Sequence, residues 1–217
     1  MTRVAVTGTD ERLAERLRAE GFEVVECALV RIEALGGPPI EAGDYDWLLV
    51  TSRNAVAPLL ERLHGALPPV AAIGPGTAEA LRERGVEPAL VAEPSTQEGL
   101  AAALPRPAGR VLFAGAEDAR DVLVRELGAD FVPLYRTVAL HPEAFPAADL
   151  VTLASASAVR ALAEIQPGLP CVSIGPVTTE EARRAGLAVV AEASTHDLDG
   201  LVAAVKLARS HGSSSPS

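Results

Sequence analysis

The sequence predicts an α/β protein: two similar parallel-sheet, three-layer domains joined by a two-stranded antiparallel connector. Three observations lead there. Short Val-, Ala- and Leu-rich runs alternate with amphipathic stretches of helical period. The alternation is written twice, since IGPGTAEALRERGV (73–86) returns as IGPVTTEEARRAGL (174–187). Two extended runs, 22–36 and 131–141, are longer than the other strand candidates and border Pro- or Gly-bearing segments (Gly36-Gly37-Pro38-Pro39 and His141-Pro142).

In chain order, strands are expected at 3–7, 23–33, 46–51, 70–73, 88–91, 110–114, 131–140, 149–154, 170–174 and 188–191. Helices are expected at 10–20, 54–64, 77–84, 97–104, 118–127, 157–165, 178–185 and 197–208. Gly21, Gly85, Gly128 and Gly186 stand where a helix-ending glycine belongs. Ser95 with Glu98, and Thr178 with Glu181, have capping-box spacing. The apolar character of the strands implies burial on both faces, hence parallel sheets with helices on each side.

The copies match beyond the central motif. LLVTSRNAV (48–56) corresponds to VTLASASAV (151–159), and AEPSTQEGL (92–100) to AEASTHDLDGL (191–201), the second longer by two residues. RVAVTG (3–8) pairs more weakly with RVLFAG (110–115). If the long runs connect the domains, the chain starts in one, builds the other and returns. The first domain is then 1–34 plus 141–210, the second 37–133, with connector strands 22–36 and 131–141 and a disordered tail at 211–217. Sequential domains split near residue 107 are the competing layout.

Composition bounds the function. The chain has 217 residues, 48% apolar and 22% charged, enough for two cores and too apolar for disorder. Aromatics are 3% and net charge is −10, with Lys206 the one lysine, so nucleic acid and anionic membranes are excluded as partners. Cys27 and Cys171 belong to no CxxC pattern and read as two reduced, buried thiols. No run nears 18 apolar residues and no leader-like segment opens the chain, so a cytoplasmic protein is expected. His64, His141, His196 and His211 lack ligand spacing, and no GxGxxG, GxxxxGK[ST], HExxH or GxSxG occurs. Neither a metal nor a cofactor is expected.

What remains is a set of hydroxyl-bearing strand-to-helix turns, duplicated in the two halves. Thr51-Ser52-Arg53-Asn54 corresponds to Ser155-Ala156-Ser157, and Gly74-Pro75-Gly76-Thr77 to Gly175-Pro176-Val177-Thr178. In open parallel sheets, ligands bind beyond the carboxyl ends of the strands, where helix starts offer free amides to anions. Such residues are also ordinary helix caps. Their duplication points further, to a large anionic ligand held in a cleft between the domains. Tyr135, in Pro133-Leu134-Tyr135-Arg136-Thr137, is either a strand anchor or a proton donor. Trp47 reads as packing.

Taken together, TSRNAV (51–56), AAIGPGTAEAL (71–81), PLYRT (133–137), LASASAV (153–159) and SIGPVTTEEARRAG (173–186) resemble the uroporphyrinogen-III synthase family across residues 1–208. The resemblance implies two α/β domains on a two-stranded antiparallel ladder and a monomeric, cofactor-free lyase. Its substrate would be the linear tetrapyrrole hydroxymethylbilane, closed to uroporphyrinogen III with loss of water and inversion of ring D. It makes Tyr135 the catalytic residue, aiding departure of hydroxide or orienting ring D. Thr51, Ser52, Arg53, Asn54, Gly76, Thr77, Ser155, Ala156, Ser157 and Thr178 become substrate-binding positions. A polycarboxylate on so acidic a chain needs local cations, for which Arg53, Arg136 and Arg160 are the candidates. The alternative is a non-catalytic tetrapyrrole- or anion-binding regulatory module of the same fold. A periplasmic-type binding protein, also two-lobed, lacks support without a leader.

Overall fold

The computed structural model describes residues 1–8 and 11–212, and backbone only at 211 and 212. By internal contacts the chain divides into two compact units. One is discontinuous (1–31 with 137–217) and the other continuous (32–136).

The discontinuous unit contains β1 (Arg3–Val6), α1 (Glu11–Ala19) and β2 (Glu23–Glu26) from the N-terminal segment. Its later segment supplies β11 (Leu150–Leu153), α6 (Ala156–Ile165), β12 (Cys171–Ser173), α7 (Pro176–Arg184), β13 (Val189–Glu192) and α8 (Leu198–Gly212). The sheet runs β13-β12-β11-β1-β2, with every pair parallel. Alternation along its strands sends side chains to opposite faces. Val4, Val6 and Val172 pack with α1 and α8, while Ala5, Val151, Leu153 and Cys171 pack with α6 and α7.

The continuous unit repeats this plan. It holds β4 (Ile40–Glu41), β5 (Trp47–Val50), α2 (Arg53–Arg62), β6 (Leu63–His64), β7 (Val70–Ala72), α3 (Pro75–Arg82), β8 (Leu90–Val91), α4 (Gln97–Ala103), β9 (Val111–Ala116) and α5 (Val122–Leu127). Strands β3 (Val30–Ala34) and β10 (Asp130–Ala139) complete a six-stranded sheet in the order β3-β10-β9-β5-β7-β8. Leu48, Val50, Val70, Ala72, Leu112 and Ala114 face α2 and α3, whereas Leu49, Ala71, Val111 and Phe113 face α4 and α5. Each unit is thus a three-layer sandwich built on parallel strand pairs.

The registers show the duplication at backbone level. Leu48 pairs with Leu112 and Val70, as Val151 pairs with Ala5 and Cys171. Ala72 pairs with Val91, as Ser173 pairs with Glu192. Three helices end alike: Gly21, Gly85 and Gly186 have φ of 79°, 79° and 77°, and the next residue (Phe22, Val86, Leu187) bonds back to the final turn at 2.9–3.1 Å. Gly128 (φ 64°) ends α5 with one bond to Val124 O, 3.0 Å.

Several expected elements shift, for local reasons. The run 23–33 is two strands: β2 follows β1, and Cys27 and Leu29 amides bond to the carbonyls of Val6 and Thr7 before β3 begins. Helices α3 and α7 start two residues early, at Pro75 and Pro176, because a first-turn proline sacrifices no hydrogen bond. Thr178 therefore lies inside α7 and is not its cap, which is Gly175. The cap of α4 is Thr96 rather than Ser95, accepting from Gly99 N at 3.0 Å; Asp197 does the same for Gly200 N at 2.8 Å. Helix α5 starts at Val122 rather than 118, after a turn in which Arg120 reaches Glu98 on α4. Strands β4 and β6, two residues each, are too short to leave a periodic trace. The helix α8 includes 211 and 212, so a tail disordered from 211 is not what the backbone shows; 213–217 lie outside the described residues.

Candidate active site

In the continuous unit, strands β5, β7, β9 and β10 run in parallel, so their carboxyl ends share one rim. Thr51 follows β5 and sits against Gly115 of β9, where an added Cβ would be 2.9 Å from Thr51 Oγ1. Ser52 caps α2, accepting from Asn54 N at 3.1 Å. Arg53 opens the helix, partly buried and already engaged with other groups. Asn54 is exposed.

Tyr135 reaches this rim by an irregularity. Along β10, Pro133 pairs with Gly115 and Tyr135 with Ala116, leaving Leu134 as an extra residue. Such a bulge breaks the in-out alternation of a strand. Leu134 and Tyr135 accordingly bury in the same cluster, at 0% and 6% exposure. Ser52 is the side chain that acts on the phenol, near enough to favour its ionised form. Because Ser52 Oγ already accepts the Asn54 amide, its own proton is available for the phenol oxygen. Burial pushes the Tyr135 pKa above its ordinary 10.0; the Ser52 hydroxyl opposes this more weakly, and the nearby Asp118 carboxylate adds to it. The residue is a neutral phenol at physiological pH, with the Ser52 hydroxyl as its polar neighbour.

The second turn of this rim is the start of α3. Gly74 caps it without a side-chain bond, Pro75 follows, and the first amide given back within the helix is Ala78 N to Gly74 O at 3.0 Å. Gly76 and Thr77 occupy the preceding positions, where helix amides have no intrahelical acceptor. Thr77 is buried, at 6% exposure.

The discontinuous unit presents the matching rim. Ser155 caps α6, accepting from Ala158 N at 3.2 Å, with nearly the backbone angles of Ser52. Ala156 stands where Arg53 does, and Ser157 where Asn54 does. Helix α7 starts like α3, with Gly175 as cap, Thr179 N bonded to Gly175 O at 2.9 Å, and Thr178 buried. Val177, in the place of Gly76, is exposed.

The structure thus brings Tyr135 and Ser52 into contact and distributes the other expected residues over two equivalent rims. Of the candidate cations, Arg136 is paired with Glu33 (2.7 Å) and Arg160 with Glu181 (3.0 Å). Three rim residues were not anticipated: Ser173, Thr179 and Glu192, linked in a hydrogen-bonded chain. Their one sequence cue is the doubled Thr178-Thr179, where the first copy reads Thr77-Ala78. Cys171 is buried and Cys27 half-buried, both free. Among the described residues, no group of three or more His, Cys, Asp or Glu is placed to hold a metal ion. No helix among them is long and apolar enough to cross a membrane.

Two α/β units on parallel strands, each with capped hydroxyls and helix-start amides at its rim, and one with a buried phenol, define a class: duplicated α/β proteins of two like units. The family model for uroporphyrinogen-III synthase HemD matches residues 11–203. The chain belongs to the uroporphyrinogen-III synthase family, whose members are cyclising lyases of tetrapyrrole biosynthesis. Among solved structures it is similar to the uroporphyrinogen-III synthetase of Helicobacter pylori (TM-score 0.68, 18% identity, covering 97% of this chain and 100% of that one). It is similar also to a mutant uroporphyrinogen III synthase of Thermus thermophilus (TM-score 0.64, 19% identity, 97% and 100%). At these identities the likeness establishes the fold. None of the curated proteins matches the chain.

Proposed function

We propose that this chain closes hydroxymethylbilane to uroporphyrinogen III, with loss of water and inversion of ring D, and that Tyr135 is its catalytic residue. The observation that supports this most, within a chain of this family, is the Tyr135 phenol buried at the rim by the bulge in β10, with Ser52 as its polar neighbour. The pyrrole nitrogen of the substrate pushes out the hydroxyl of the hydroxymethyl group, leaving an azafulvene. Departure as hydroxide needs one hydrogen-bond donor, and a phenol that keeps its proton throughout the neutral range supplies it. Ser52 donates to the phenol oxygen, stabilising the charge that gathers there as the phenol proton is drawn toward the leaving group. Ring D is then attacked at its substituted α-carbon, and the spiro intermediate fragments and recloses. Steering that attack is a matter of holding the flexible chain in one arrangement.

Acetate and propionate groups are held at the rims by amides at Gly76, Thr77, Val177 and Thr178 and by the turns at Thr51–Asn54 and Ser155–Ser157. Helix starts favour anions on account of their exposed N–H groups and dipole. Local donors of this kind are what an acidic chain requires. The two units are two domains, and 29–35 with 134–140, within the runs 22–36 and 131–141, form an antiparallel connector. Bonds from Leu140 N to Leu29 O and from Leu35 N to Leu134 O, each 2.8 Å, support that pairing. The protein acts as a cytoplasmic monomer.

The test is to supply hydroxymethylbilane, oxidise the products and separate the porphyrin isomers. Type III in excess, formed faster than spontaneous closure, is expected. Type I alone at the spontaneous rate would leave the non-catalytic binding module as the function.

A further inference from the structure

We infer that Ser173, Thr179 and Glu192 form a positioning chain that fixes the first turn of α7, and with it Thr178, for substrate carboxylates. The inference rests on the reading that this turn binds substrate.

Ser173 ends β12 and is fully buried; Thr179 is the fourth residue of α7 and 2% exposed. Their hydroxyl oxygens are 2.5 Å apart, and Thr179 Oγ1 donates to Glu192 Oε2 on β13. Since the Thr179 proton goes to the carboxylate, Ser173 must be the donor to Thr179. Glu192 is register-paired with Ser173 on the neighbouring strand. Helix α7 is therefore tied to two adjacent strands by a chain running one way, from Ser173 through Thr179 to the carboxylate. The Thr179 amide, meanwhile, closes the turn onto Gly175 O.

The fold does not require this. The equivalent positions in the continuous unit are Ala72, Ala78 and Val91, and α3 starts there with the same Gly-Pro turn and no polar tie. Burying two hydroxyls where alanines suffice costs desolvation that only complete pairing offsets. A fully paired network gives rigidity in return. Gly175 offers no side-chain cap, so the tie adds a side-chain anchor to a start that otherwise has only its backbone bond, and the residue immediately before Thr179 is Thr178.

The experiment compares kcat, KM and melting temperature for Thr179→Val, Thr179→Ser, Thr152→Val, Glu192→Ala and Thr178→Val. Thr152 is a second buried hydroxyl of the same unit, bonded to Ala5 O at 3.3 Å, and controls for the loss of such a group. Thr179→Val is expected to raise KM about tenfold with kcat within about twofold. Thr179→Ser should restore KM, and Thr152→Val should lower melting temperature without changing it. Should Thr179→Val fail to fold, the exposed Glu192→Ala carries the test. Removing a negative charge favours a polyanion, so a raised KM there opposes the simple electrostatic expectation and supports the tie. An unchanged or lowered KM in Glu192→Ala, an unchanged KM in a folded Thr179→Val, or an equal rise in Thr152→Val overturns the inference. If Thr178→Val raises KM and the chain variants do not, this inference fails alone; if Thr178→Val is also silent, the binding role of the turn fails with it.

Discussion

Where the continuous unit places Leu49, Ala72, Ala78 and Ala114, the discontinuous unit places Thr152, Ser173, Thr179 and Thr7, all of them buried. Five strands of the two sheets nevertheless correspond in order, and their central pairs share register and helix layers. Hydroxyls are tolerated in the second because each finds a partner: Thr7 donates to Thr152 O at 2.7 Å, Thr152 to Ala5 O, and Ser173 and Thr179 bond each other. The aromatic mass went the other way, with Tyr45, Trp47, Phe113, Phe131 and Tyr135 all in the continuous unit. What the pair teaches is that architecture follows the alternation of buried positions, while the chemistry of each position is free to diverge. The phenol belongs to one copy, the buried hydroxyl chain to the other.

The largest effect expected from breaking the comparison is at Tyr135. Tyr135→Phe keeps the packing and removes the donor, so kcat should fall by at least about 100-fold, with a rising share of type I product. Isomer-resolved kinetics check it. Ser52→Ala should lower kcat less, whereas Ser155→Ala, an equivalent cap with no phenol, should act on KM rather than kcat and cost about 1 kcal/mol of stability. Equal losses of kcat in the two serine variants would mean that the rims do not differ as described.

A second test asks whether the copies share their constraints. A Cβ on Gly99 or Gly200 would lie 2.1 Å from the carbonyl oxygen of Pro94 or Thr195. Because the obstacle is backbone in both, Gly99→Ala and Gly200→Ala should each destabilise by about 2–3 kcal/mol, measured by denaturant unfolding. A cost confined to one unit would break the equivalence of their capped loops.

The smallest effect is in pH dependence. Burial pushes the Cys171 thiol up to about 11 from 9.0, so the folded state favours the neutral form. Its contribution is complete below pH 9 and is lost as pH rises toward 11, up to about 2 kcal/mol. Cys171→Val installs the residue that the other copy carries as Val70. The variant should lose less melting temperature than the parent between pH 9 and 11. Parallel curves for the two proteins would show that the thiol is not held neutral by the fold.

Much of this was legible in the sequence, because repeats, helix-ending glycines and apolar strands are local signals. The turns at Ser52 and Ser155 could be placed because a cap residue follows directly from its strand. What escaped was whatever depends on neighbours distant in the chain. Nothing local to 178–181 separates a capping box at Thr178 from a helix already begun at Pro176. The run 23–33 reads as one strand until the carbonyls of Val6 and Thr7 claim its middle. Tyr135 could be singled out, but not the bulge that turns it, nor the Ser52 hydroxyl that meets it.

That extra residue in β10 also says what evolution can and cannot do here. Were the pairing regular through Leu134, with every residue in register, Leu134 would stand opposite Ala116 and the phenol would turn to the opposite side of the sheet, although no functional group had been substituted. The placement of the phenol therefore depends on an unpaired neighbour as much as on the tyrosine itself, and a change that let Leu134 take its place in the ladder would silence the site while leaving every side chain in the sequence intact.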